Sequence, residues 1–151
     1  MADFLERVVK WAVPHANYIP TDTPGRLFIG SAVATRPDRV SLYNFKAVFS
    51  LYPPEYSLPE DIGHYMCYID DEPAMTPRMR RLGRELVPLI HYHLSRGDNV
   101  LVHCRRGMQR APTVGVYYLM YLESLTEQRA ISKMVAARWV AFRRGTRFTF
   151  F

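Results

Sequence analysis

Val100-Leu101-Val102-His103-Cys104-Arg105-Arg106-Gly107-Met108-Gln109-Arg110-Ala111-Pro112-Thr113 decides the fold, because within fourteen residues the chain passes from a buried strand through a tight loop into a helix. Val100 to Val102 is a short apolar run rich in β-branched residues, which predicts a strand over 100–103. Pro112 suits a first helical position and opens the amphipathic run Thr113 to Glu123. The loop between them therefore lies at a helix N-terminus, where backbone N–H groups bind an anion. Gly107 allows the tight path, and Arg110 reaches back with a two-pronged guanidinium. Residues Arg105, Arg106, Gly107, Met108, Gln109 and Arg110 thus read as a phosphate cradle with Cys104 at its floor. The N–H dipoles and Arg110 favour thiolate, so Cys104 is expected to ionise below the usual value of about 8.5.

Working outward, strands are expected at 26–29, 46–51 and 64–69. Thr76-Pro77 signals a cap and first turn for a helix to Ser95, closed by Gly97, with Pro88 inside it as a point of bending. A last helix is expected from Thr126 to Arg138. Residues 14–25 and 53–61, rich in Pro and polar residues, read as loops. Phe4, Leu5, Val8, Val9 and Ala12 recur at helical spacing between Asp3 and Pro14, so residues 1–13 read as an amphipathic N-terminal helix that covers the core or makes a dimer contact. No repeat, low-complexity tract or linker interrupts the 151 residues. Strands alternating with helices predict an α/β fold, one domain over 1–151, with a mostly parallel twisted central sheet flanked by helices.

The segment His103-Cys104, five residues, Arg110, followed by Ala111-Pro112-Thr113, resembles the signature of the cysteine-dependent protein tyrosine phosphatase superfamily, and more narrowly the dual-specificity phosphatases of compact atypical or viral type. Leu27 to Ser31, Phe45 to Leu51 and Leu125 to Ala130 are similar to outer elements of that family. The resemblance implies hydrolysis of phosphotyrosine and phosphoserine or phosphothreonine through a phosphocysteine, with Cys104 as nucleophile and Arg110 as phosphate ligand. It also implies a possible homodimer, because some viral members exchange an N-terminal helix. RNA 5′-phosphatases and phosphoinositide phosphatases share the signature, but their loops more often continue with Thr-Gly after the arginine; Ala-Pro-Thr here favours phosphorylated protein substrates. One departure is chemical. The family usually has Ser or Thr after the signature arginine, where its hydroxyl helps the sulfur leave, and this chain has Ala111. A low-activity, phosphate-binding pseudophosphatase is the reading that Ala111 supports.

Cleavage of a phosphate ester also needs a proton donor for the leaving oxygen. Asp70, Asp71 and Glu72 follow the apolar end of a strand, on the loop where the family carries its acid. The family pattern of apolar, any, Asp implies Asp71, with Asp70 the alternative. His103 and Ala111 flank the nucleophile and the arginine, His103 holding the loop by hydrogen bonds rather than acting as a base. Gln109 either orients the attacking water or braces the loop. Cys67 is either a small core residue or a resolving thiol for Cys104.

Composition fits this chemistry. A chain that is 48% hydrophobic and 13% aromatic can bury a core without a metal or disulfide. Its two cysteines show no metal-ligand spacing, so no metal or other cofactor is assigned. A low-pKa thiol must stay reduced, which implies an intracellular compartment: cytoplasm, or the virion or host cytoplasm for a viral protein. Nothing reaches the length of a membrane span. Residues 1–73 carry 6 Lys+Arg against 10 Asp+Glu, and residues 74–151 carry 14 against 4, so the net charge of +6 is concentrated in the half that holds the cradle. Such a field steers acidic, phosphorylated ligands to the site, and is compatible with RNA or phosphoinositide. Arg78, Arg80, Arg81 and Arg84 read as a solvated helix face, whereas Arg105 and Arg106 border the cradle's mouth.

Overall fold

A computed structural model describes residues 14–150. The expected helix over 1–13, and with it the dimer contact, lies outside these residues. Five strands, β1 (Ala16–Ile19), β2 (Leu27–Gly30), β3 (Phe45–Ser50), β4 (Gly63–Met66) and β5 (Asn99–His103), form one sheet in the order β1-β2-β5-β3-β4. β5 runs parallel to both β2 and β3, and β3 parallel to β4, while β1 pairs antiparallel with β2. Four α-helices accompany the sheet: α1 (Pro37–Tyr43), α2 (Thr76–Ser95), α3 (Arg110–Leu122) and α4 (Glu127–Ala137). The expected α/β architecture with a mostly parallel sheet is what is observed.

Strand side chains alternate between two buried faces. Leu27, Ile29, Val100 and Val102 enter the larger core under α2, α3 and α4, whereas Phe28 and Leu101 enter a smaller one under α1. Each fully buried Val, Leu or Ile contributes about 1.5–3 kcal/mol. A register shift between Phe45 and Ala47 changes the parity of β3, so Phe45 joins the smaller core while Ala47 and Phe49 join the larger. Ladder pairing on both sides thus fixes β5, whose carboxyl end delivers Cys104 to the rim of the sheet, where open parallel sheets bind ligands.

Four sequence expectations are corrected. Residues 14–25 are not all loop: Ala16–Ile19 is the antiparallel edge strand β1, too short and too polar to stand out by pattern. α1 was not expected, although Pro37 in its first turn and Asp38 beside it are start signals and Asn44 ends it at φ 54°. α3 begins at Arg110, not Pro112; a proline in the third position is harmless because the first four N–H groups of a helix lack intrahelical partners. Thr76 does not cap α2. It lies inside the first turn and donates from Oγ1 to the Pro73 carbonyl at 2.7 Å, after a 3-10 turn over Pro73–Met75.

The other boundaries fall close to expectation. β4 ends at Met66 rather than at residue 69, although Cys67 and Ile69 still donate backbone N–H bonds to Ser50 and Leu51. Pro88 sits inside α2 without ending it, and Gly97 follows its close at φ 89°. The Thr126 side chain caps α4 by accepting the Arg129 N–H at 3.3 Å. Among the described residues no helix is long and apolar enough to cross a membrane.

Candidate active site

The loop after β5 closes on its own sulfur. Cys104 is 2% exposed, and the Gly107 N–H donates to its Sγ at 3.2 Å. That geometry needs glycine: Gly107 has φ 68°, and a Cβ there would lie 2.7 Å from the Gly30 backbone and from the Arg138 guanidinium. The sulfur borders a cavity of about 410 Å³ lined by Asp71, Cys104, Arg105, Arg106, Met108, Gln109, Arg110, Arg144 and Arg147. The cradle's side chains therefore meet Asp71 around one space, with five arginines on its walls.

Arg110 opens α3 and turns back toward the acid loop. Its Nη1 donates to the Ile69 carbonyl at 3.0 Å, and its guanidinium stacks over the Tyr52 ring at 5.3 Å. Its Nε is buried without a partner. Asp71 carries a second such atom: Oδ1 is buried and partnerless, while Oδ2 accepts from Arg147 at 2.9 Å. Buried polar atoms are rarely left unpaired. Both of these atoms belong to residues that line the one basic cavity. Asp70 is exposed and lines an adjoining depression with Tyr52, Tyr68, Arg78 and Arg110, whereas Asp71 lines the cavity at Cys104.

His103 is fully buried, and its ring lies between the loop and β3. Its Nδ1 donates to the Cys104 carbonyl at 3.2 Å, which leaves Nε2 to accept the Ser50 hydroxyl at 2.6 Å; His64 Nε2 then donates to the same oxygen at 2.8 Å. Burial pushes His103 down to about 4, so the ring is neutral near pH 7. Cys67 hydrogen-bonds the Ser50 and Tyr65 carbonyls, and burial pushes its thiol up to about 12, which suits a packing residue better than a nucleophile.

Gln109 spends both ends of its amide on the C-terminal segment, donating to the Gly145 carbonyl and accepting the Arg147 N–H. Ala111 is fully buried in the first turn of α3.

Three residues at the site had no sequence reading of this kind. Arg138, the C-cap of α4, is 1% exposed and donates to the carbonyls of Gly107, Arg106 and Pro14 and to Asn17 Oδ1 at 2.8–3.1 Å. Burial pulls its guanidinium down to about 10, with the charge of Cys104 acting in the opposite direction. Arg144 and Arg147 reach the cavity from a segment anchored by buried Phe142, Phe148 and Phe150. The only available signal was the density of arginine after position 138.

Residues 27–150 match the family model described as dual specificity phosphatase, catalytic domain. Dual specificity protein phosphatase 15 of Mus musculus is 28% identical over 119 residues, which are 78% of this chain and 49% of that protein. The Rattus norvegicus protein of the same name is 29% identical over the same length, so the chain spans about half the length of these curated relatives. Among solved structures, human DUSP28 superposes with a TM-score of 0.72 at 19% identity, covering 85% of this chain and 84% of that one, which is a likeness of fold. Tk-PTP in its active form has a TM-score of 0.63 at 26% identity, covering 85% and 87%.

Proposed function

Since the chain belongs to the dual specificity phosphatase family, matched over residues 27–150, we propose that it is a cysteine-dependent protein phosphatase acting on phosphotyrosine and phosphoserine or phosphothreonine. One observation carries the reading: Cys104, Arg110 and Asp71 line one cavity, the first with its sulfur held by a loop N–H and the other two with buried, unpartnered polar atoms. Phosphorylated proteins fit as substrates because the walls are basic and the mouth is open at Arg105 and Arg106.

In this reading the Cys104 thiolate attacks phosphorus in line, forming a P–S bond as the P–O bond to the substrate breaks. Arg110 and the loop amides hold the equatorial oxygens, and Asp71 gives its proton to the leaving oxygen. Water then attacks the phosphocysteine, Asp71 takes its proton, and phosphate and thiolate are released. Positioning and preorganised charge lower the barrier. His103 and Arg138 support the loop from behind and meet no substrate.

Ala111 favours a second reading, a phosphate-binding protein of low turnover. It is buried in the first turn of the helix after the loop and has no hydroxyl for the departing sulfur. Phosphate release from a panel of phosphotyrosine peptide, phosphothreonine peptide, phosphoinositide and triphosphorylated RNA tests both readings. Turnover confined to the peptides supports the proposal; faster release from RNA or lipid replaces the substrate class, and binding without release selects the low-turnover reading.

A further inference from the structure

Residues 144–147 strap the phosphate loop to the acid. Gln109 donates from Nε2 to the Gly145 carbonyl at 2.8 Å and accepts the Arg147 N–H on Oε1 at 3.0 Å. Its amide is thus satisfied by one short segment, at a residue only 7% exposed. The Arg147 side chain then crosses to the acid loop, where Nη1 donates both to the Asp71 carbonyl at 3.2 Å and to Asp71 Oδ2 at 2.9 Å. One nitrogen fixes the backbone and the carboxyl of the same residue. The other carboxyl oxygen, Oδ1, is the buried atom without a partner.

We infer that Arg147 is a positioning residue for the acid step: held by Gln109, it clasps Asp71 at Oδ2 and at the backbone carbonyl and so fixes the carboxyl in one orientation on the cavity. The inference rests on Asp71 being the general acid. A carboxyl pinned at one oxygen keeps a single orientation, and misplacement of a catalytic group by about 1 Å can cost on the order of 100-fold in rate. Arg144 lines the same cavity but makes no such bond with Asp71, so it separates the effect of charge from that of the clasp.

The experiment measures kcat for an activated aryl phosphate, which needs little acid help, and for phenyl phosphate, which needs much. Arg147→Met should raise the activated-to-phenyl ratio at least about tenfold. Arg147→Lys should recover most of that loss, and Arg144→Met should move the ratio by less than Arg147→Met. Gln109→Leu, which cuts the strap while keeping Arg147, should shift the ratio in the same direction. The double variant should be no worse than the worse single, because both cut one chain of contacts. An unchanged ratio in Arg147→Met beside a raised ratio in Asp71→Asn overturns the inference and leaves the phosphatase reading standing. An unchanged ratio in both removes Asp71 as the acid, and the inference falls with it.

Discussion

Arg138 donates from Nε to the carbonyl of Gly107 at 2.8 Å across a sequence separation of 31 residues, so a buried guanidinium at the end of α4 supports the tightest turn of the phosphate loop. The same side chain bonds the Arg106 carbonyl, the Pro14 carbonyl and Asn17 Oδ1. Arg138→Met leaves these buried acceptors unpaired. The expected loss is about 3 kcal/mol or more in urea unfolding, together with most of the activity. A midpoint unchanged from the parent would show that the loop supports itself.

A pH dependence of folding follows from His103. Its folded value near 4 lies below the ordinary 6.5, so the unfolded chain binds this proton first as pH falls. Stability is therefore fully present above about pH 6.5 and is lost progressively toward pH 4, by about 3 kcal/mol from this ring. Burial lowers His64 too, and it adds in the same direction. Urea midpoints measured from pH 7 to pH 4 should fall less steeply in His103→Asn than in the parent; parallel slopes would assign the acid sensitivity elsewhere.

Cys104→Ser should abolish turnover while preserving oxyanion or phosphopeptide binding, because the loop amides and Arg110 remain. Phosphate release and tungstate binding measured on one preparation check this. Residual turnover above a few per cent would remove Cys104 as the nucleophile.

Asp71→Asn should slow hydrolysis of poor leaving groups far more than of activated aryl phosphates, by about 10²–10⁴-fold for the poor ones. Asp70→Asn should not, since Asp70 faces the neighbouring depression. The opposite pattern would move the acid by one residue.

Ala111→Ser restores a hydroxyl beside the family's leaving sulfur. A hydrogen bond to a charged partner is worth about 1.5–3 kcal/mol, or about ten- to a hundredfold in rate. Rapid mixing of the parent with an aryl phosphate should give a burst of phenol followed by a slower steady rate, and the serine should raise that rate and shrink the burst. No burst, and no response to serine, would mean that phosphocysteine hydrolysis does not limit turnover.

The phosphate loop was legible because its geometry is local: a strand, a glycine and a helix start within fourteen residues place Cys104 and Arg110 together. The parallel sheet was legible for a related reason, since apolar runs such as Val100 to Val102 are buried on both faces. The strap and the brace were not. Arg138 meets Pro14 and Asn17 at separations of 124 and 121 residues, and Arg147 meets Asp71 at 76. Contacts that distant leave no periodicity to read. Gln109 was legible only as a pair of alternatives, and its partners at Gly145 and Arg147 favour the bracing one. α1 is hard to read despite its signals, because it is only seven residues long, Pro37 to Tyr43, with one buried apolar side chain, Val40.

The reach of Arg138 also orders events on the ribosome. Synthesis releases Cys104 and its glycine turn well before Arg138, and before the segment that ties Gln109 to Asp71. A nascent chain therefore displays the thiol before it possesses the guanidinium that secures the loop. The partners of that guanidinium at Pro14 and Asn17, made before Cys104, must wait for it. The turn at Gly107 is thus secured only once Arg138 has been made, and until then the cysteine travels in a loop that lacks this support.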